Sequence, residues 1–337
     1  MAEAVHGPIP KPVDAAYIWG DALDAFVQVA PDVRIINLET AVTTSETAWP
    51  GKEIHYRVHP ENISCLTVAK IDCCVLSNNH VLDWGYTGLI ETLESLKNAG
   101  IQTVGAGRNR QEAEAPAVVD VAGKGRVLVL GLGDATSGIP RRWAAAADKP
   151  GVHWLPDLSD RSVQHIASQV KTVKREEDIV VASIHWGGNW GYGVSREQTS
   201  FAHQLVDEAG VDVVHGHSSH HAKGLEVYQD KPILYGCGDF LNDYEGIGGY
   251  EAFRADLALM VFVTMEPRTG KLSRVEMVPM QIQRFRARHV TQDDARWLTD
   301  RLNREGSRFG TRVELHEDHT LTLHWDESDA EAETCQN

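Results

Sequence analysis

The sequence predicts an α/β fold, on three observations. Short β-branched runs end in polar clusters, segments of helical spacing lie between them, and the chain turns β-rich after about residue 222. The runs are residues 32–36, 71–76, 178–184 and 211–214. Each reads as a strand buried on both faces. They lead in turn into Asn37-Leu38-Glu39-Thr40, Ser77-Asn78-Asn79-His80, His185-Trp186-Gly187 and His215-Gly216-His217.

Between them, residues 88–99 place Leu89, Leu93 and Leu96 on one helical stripe, and residues 161–174 and 196–209 behave similarly. The later half offers strands at 225–228, 233–235, 257–264 and 275–280, with a turn at 267–270 and one helix over 293–303. Gly105-Ala106-Gly107-Arg108-Asn109 and Gly131-Leu132-Gly133-Asp134 read as glycine-rich turns. Neither has nucleotide-cradling spacing. One domain over 1–325 is expected, followed by an acidic tail over 326–337.

A formal net charge of -16 argues against nucleic acid and against an anionic membrane surface as partners. Five cysteines without CxxC spacing fit neither a disulfide framework nor a zinc knuckle. No apolar run is long enough to span a bilayer, and the opening MAEAVHGPIPKPVD lacks the features of a signal peptide. The expectation is a reduced, cytoplasmic protein.

The chemistry-bearing residues sit at strand ends, where ligands of open α/β sheets gather. Four of the sixteen histidines fall in His215-Gly216-His217-Ser218-Ser219-His220-His221. Neutral imidazole is the commonest side-chain ligand for zinc-like ions, so this segment reads as metal-binding. His185 opens HWGGNWGYG, whose glycines allow close backbone approach to a bound group. Asn79 offers a neutral amide oxygen. His80, three residues before Asp83, has the layout of a general acid or base oriented by a carboxylate. Read blandly, the same stretch is an Asn-rich turn leading to a helix start near Asp83. Glu39 is a strand-end carboxylate, either solvated or metal-bridging.

Six motifs, INLETAVT, SNNHVLDWGYTGL, GAGRN, SIHWGGNWGY, VVHGHSSHH and PILYGCGDFLNDYEGIGG, occur in that order across about residues 15–280. Together they resemble the CapA family of poly-gamma-glutamate capsule synthesis proteins, in the style of its actinobacterial polyglutamine synthesis accessory branch. The resemblance implies a calcineurin-like metallophosphatase fold, a β-sandwich flanked by helices. It further implies metal ligation by Glu39, Asn79, His185 and His217, with His220 as a fifth candidate. His80 would be the catalytic histidine and Asp83 its orienting partner, while Asp239 and Asn242 lie in a segment near the pocket.

The cofactors implied are two divalent metal ions, from among Mn, Fe, Zn, Mg and Ca. The function implied is an accessory role in poly-gamma-glutamate or polyglutamine synthesis, with hydrolase-type chemistry. Polyglutamate, peptide or phosphoester would be the substrate and synthase components the partners. A metal-dependent peptide epimerase of the lasso-peptide type and a non-catalytic assembly factor are the alternatives. The family opens with a strand ending in a metal-binding Gly-Asp, well before its NLE motif. Here that motif begins at Asn37, so this strand and one ligand are expected to be absent.

Overall fold

A computed structural model describes residues 3, 7–9 and 11–326. Beyond Asp326, the expected acidic tail lies outside the described residues. Three sheets carry the fold. The first is parallel, with Cys73–Val75 between Ile35–Asn37 and Gln102–Val104. In the second, Trp154–Leu155, Gly125–Asp134, Ile179–His185, Val213–His217 and Lys231–Leu234 run parallel in that spatial order. Leu225–Tyr228 and Ala117–Val121 join it antiparallel. The third is an antiparallel sheet built on Leu257–Met265 and Leu272–Ile282, with the late hairpin Thr311–Leu315 and Leu321–Trp325.

The helices take up the expected apolar stripes. Gly85–Asn98 buries Leu89, Leu93 and Leu96, and Asp160–Val173 buries Val163, Ile166 and Val170. Helix Arg196–Asp207 starts on a reciprocal cap. Ser195 Oγ accepts from Gln198 N at 3.1 Å, while Gln198 Oε1 accepts from Ser195 N at 3.2 Å. The late helix spans Gln292–Gly306. Among the described residues, no helix is long and apolar enough to cross a membrane.

The two parallel sheets pack against each other through Cys73, Val75 and Val104 on one side and Ala117 and Val129 on the other. A larger core joins Cys74, Leu76 and Leu89 to Ala258, Met260 and Met280 of the antiparallel sheet. The β-rich late half therefore closes over elements from the chain's beginning.

Residues 131–134 depart from expectation. They are not a turn but the buried end of the ten-residue strand Gly125–Asp134, which lies between Trp154–Leu155 and Ile179–His185 in the larger sheet. The glycines are there for space. A Cβ on Gly131 would meet Gly105 Cα at 2.8 Å, and Gly105 itself has φ +84, which disfavours any side chain. The two sheets thus approach almost backbone to backbone. Strands Gln102–Val104 and Ala117–Val121 and the late hairpin were likewise not anticipated.

Gly131→Ala should cost about 1–3 kcal/mol in urea unfolding, because the sheets must move apart or strain. An exposed control such as Gly123→Ala, which meets nothing within 4 Å, should lose less despite its φ of +74.

Candidate functional site

Strand register brings the first two residues together. His185 and His217 end adjacent parallel strands and are direct register partners. Gly216, between the two histidines of His215-Gly216-His217, is required by crowding, since a Cβ there would meet Tyr235 O at 2.5 Å. From the smaller sheet, Ile35–Asn37 leads into Glu39 and Cys73–Val75 leads into Asn78, Asn79 and His80. The ends of both sheets face one cleft, where Glu39 Oε1 lies 3.7 Å from His185 Nε2.

The two asparagines divide the work. Asn78 is the structural one. Its Oδ1 accepts from the backbone N–H groups of His80 and Val81 at 3.1 and 3.0 Å, and its Nδ2 donates to Asn37 Oδ1 and Leu38 O. Asn37 Nδ2 in turn donates to Glu39 Oε2 at 2.9 Å, steadying that carboxylate. Asn79 is left with a buried Oδ1 that has no hydrogen-bond partner.

Two carboxylate–imidazole pairs flank Glu39. Asp83 Oδ2 accepts from His80 Nδ1 at 2.7 Å and from Tyr56 N at 2.7 Å. The Lys52 Nζ also lies 3.0 Å from His80 Nδ1, so this nitrogen faces a donor and an acceptor at once. Tyr56 stacks on the His80 ring at 4.0 Å. Asp83 is therefore no helix cap; it is wholly buried and also pairs with the Lys52 ammonium. In the second pair, both oxygens of Asp239 lie 2.9 Å from His220 Nδ1. Asp239 is held by Tyr244 OH at 2.9 Å and Asn242 Nδ2 at 3.3 Å.

His217 is fully engaged by the protein. Its Nδ1 is 2.7 Å from His185 Nδ1 and its Nε2 is 3.0 Å from Ser183 Oγ. The same hydroxyl meets His215 Nδ1 at 2.9 Å. His185 Nε2 is buried without a partner and turned toward Glu39. Of the four clustered histidines, His220 is oriented by Asp239, while both ring nitrogens of His217 are taken up by His185 and Ser183. His215 serves Ser183, and His221 lies in an aromatic layer, 4.5 Å from Tyr192 and 4.7 Å from Phe253 between ring centroids.

The electrostatics follow from burial. Burial pushes the Glu39 carboxyl up to about 7, helped by the nearby charge of Asp239 and opposed by His220, Asn37 and Lys52. A quarter of its side-chain surface nonetheless faces the cleft. Burial pulls His185 down to about 3, and cationic neighbours add to the effect. His217 falls well below the usual imidazole range for the same reason. At His80 burial outweighs Asp83 and the net shift is downward. At His220 burial is overcome by the hydrogen bond and charge of Asp239, and the net shift is upward.

Of the expected ligands Glu39 and His185 approach each other, but among the described residues no three of Glu39, His185, His217 and His220 bring ligand atoms within 4.8 Å of one another. Two buried polar atoms, His185 Nε2 and Asn79 Oδ1, lack partners, and such atoms call for a missing ion or water. They are oxygen and neutral imidazole donors beside an acidic oxygen, a set suited to zinc-like and iron-like ions. At His220 the second carboxylate orients the ring through Nδ1, as supporting partners of metal ligands do. His217 would reach a cation only after its ring turns away from His185 and Ser183. Sequence reasoning missed Lys52, Tyr56, Asn37, Asn78 and Tyr244. Their roles are set by contacts across long sequence separations, and only the NNH and NDY contexts hinted at two of them.

Fold and site together define a mixed α/β protein with a histidine-rich, carboxylate-flanked cleft at the carboxyl ends of its parallel strands. The family model described as "Bacterial capsule synthesis protein PGA_cap" matches residues 1–244, and the chain belongs to that family. It is 45% identical over 324 residues to a "Probable polyglutamine synthesis accessory protein" of Mycobacterium tuberculosis, covering 96% of this chain and 85% of that one. It is 28% identical over 302 residues to the "PGA biosynthesis protein CapA" of Bacillus subtilis, covering 89% of this chain and 74% of that one. The "Capsule biosynthesis protein CapA" of Bacillus anthracis is 30% identical over 242 residues, 71% of this chain and 55% of that one.

His153, His185, His215 and His221 are all held below ordinary imidazole values, to between about 3 and about 4, by burial. The unfolded chain therefore binds more protons than the folded one as pH falls below about 6.5. Chelator-treated protein should lose stability from pH 6.5 to 5, with a slope approaching ~1.4 kcal/mol per pH unit for each such ring. His220, raised above its usual value, opposes this trend, and so does Glu39, whose carboxyl, at about 7, takes up its proton in the folded state across the same range. Urea midpoints across that range measure the net effect, and a flat profile would contradict neutral burial.

Proposed function

We propose that this protein is a CapA-type accessory factor in poly-gamma-glutamate or polyglutamine synthesis, with a calcineurin-like metallophosphatase fold and hydrolase-type chemistry at a dinuclear divalent-cation site. The observation that carries the reading is the 3.7 Å approach of Glu39 Oε1 to His185 Nε2, together with the orphaned Asn79 Oδ1. Two packed sheets flanked by helices are what that fold class calls for. The accessory role rests on the relatives with that description, among them one at 45% identity.

Glu39, Asn79, His185 and His220 would hold the cations, with His217 joining them after its ring turns. When bound, a pair of divalent cations supplies an acidified water and stabilises negative charge developing on the substrate. The chain's own residues do the rest. Asp83 and the stacked Tyr56 ring fix the orientation of His80, and Nε2 remains without a protein hydrogen bond. In that position His80 passes a proton to a leaving oxygen after acquiring one from solvent, since burial keeps its resting form neutral. Lys52 donates to Asn79 O at 2.5 Å, and so holds the backbone that presents the amide. The substrate is a phosphoester or a glutamyl polymer, and synthase components are the proposed partners.

His80→Ala should lower metal-dependent cleavage of a model phosphoester about 10²–10⁴-fold at unchanged cation content. His185→Ala should lose cation and activity together, as elemental analysis of both variants would show. Incorporation of solvent deuterium into a glutamyl peptide, with no fragment released, would replace hydrolysis by epimerisation. Wild-type levels of cellular polymer in a His80→Ala strain would leave only an assembly role.

A further inference from the structure

We propose that Glu114, His153 and His165 form a second cation site, selective for zinc-type ions and separate from the cleft. Three different elements supply them. Glu114 ends the helix Arg110–Glu114, His153 lies between the strands Gly151–Val152 and Trp154–Leu155, and His165 is on the helix Asp160–Val173. One ligand atom from each lies within 4.8 Å of the other two.

One edge of the cluster has the length that tetrahedral coordination asks for. His165 Nε2 and Glu114 Oε2 are 3.4 Å apart, close to the edge of about 3.3 Å that metal–ligand bonds of about 2.0–2.1 Å give to a tetrahedron. His153 is 4% exposed, and its ring is anchored by a hydrogen bond with the Gly131 backbone.

A fourth donor stands beside these three. Gln169 Nε2 lies 3.3 Å from Glu114 Oε2 and 3.2 Å from His165 Nε2, while its Oε1 is buried without a partner. The two ends of a side-chain amide are nearly indistinguishable in shape. Turning this amide over brings the orphaned oxygen to the cluster and relieves it. Two imidazoles with one carboxylate is a donor set found in zinc sites, and it is too nitrogen-rich for calcium or magnesium. None of these residues belongs to the cleft. A bound ion would tie two helices to the strands at the edge of the larger parallel sheet.

The competing arrangement is a solvent-exposed Glu114–His165 ion pair over a satisfied core histidine. His165 and Glu114 are the partly exposed members, with side chains 52% and 26% exposed, so their variants should leave the core intact. Metal-stripped full-length protein is titrated with zinc by calorimetry, alongside His165→Ala, Glu114→Gln and, for the cleft, His185→Ala. The expected result is one zinc equivalent per chain that is lost in His165→Ala, weakened at least tenfold in Glu114→Gln and retained in His185→Ala. A zinc-induced rise in Tm should follow the same pattern, with the metal-free Tm of the two surface variants matching wild type. Wild-type stoichiometry and affinity in both His165→Ala and Glu114→Gln would overturn the proposal. Loss of that equivalent in His185→Ala alone would do so as well, by assigning the zinc to the cleft.

Discussion

The contact on which this molecule depends is the near-backbone approach of two parallel sheets at Gly105 and Gly131. A Cβ on Gly131 would fall 2.8 Å from Gly105 Cα, so the separation exists only because neither residue has a side chain. Sheets packed through ordinary side chains stand about 10 Å apart. Here they close down beside Val75, Val104 and Val129, and the strand ends above them converge. Glu39 comes from one sheet and His185 from the other, and their 3.7 Å gap is a product of that closeness. Chemistry at the cleft is thus inherited from a packing requirement one layer below it.

Convergence has an electrostatic consequence. Burying several imidazoles side by side is tolerable only if they stay neutral, because a desolvated cation beside another is doubly unfavourable. His185 and His217 satisfy this by sharing one hydrogen bond between their Nδ1 atoms, while His185 Nε2 stays buried without a hydrogen-bond partner. The carboxylates follow the opposite logic. Asp83 and Asp239 are each matched by donors, a half-buried lysine and a backbone amide for one and a tyrosine and an asparagine for the other. Glu39 alone is under-compensated, and it rises to about 7 as a result. An acidic oxygen that is reluctant to hold its charge, beside unpaired neutral donors, is an arrangement that a cation would complete.

Within the site, one interaction set by turn chemistry separates residues that look equivalent in sequence. Asn78 and Asn79 are neighbours with the same side chain. Asn78 points back to cap the turn that carries His80 and to hold Asn37, so its polar atoms are consumed. Asn79, one residue on, cannot share those partners and is left with a free oxygen in the cleft. A similar division separates His220, which is oriented by Asp239, from His221, which is absorbed into the aromatic layer of Tyr192 and Phe253.

Periodicity and composition alone determined the alternation of strands and helices, the apolar helix stripes, and the placement of Glu39, Asn79, His80, His185 and His217 at or just beyond strand ends. Those are local properties, written in residues a few positions apart. The pairing of His80 with Asp83 was legible for the same reason, since three residues separate them. Only the tertiary structure decided that Gly125–Asp134 is a central strand, because its glycines answer to a sheet-to-sheet contact that no window of sequence contains. It alone decided that Lys52, Tyr56 and Tyr244 attend the cleft and that Asp239 orients His220, and it brought Glu114, His153 and His165 within reach of one another. Side-chain chemistry can be read one residue at a time, but proximity is a property of the packed chain.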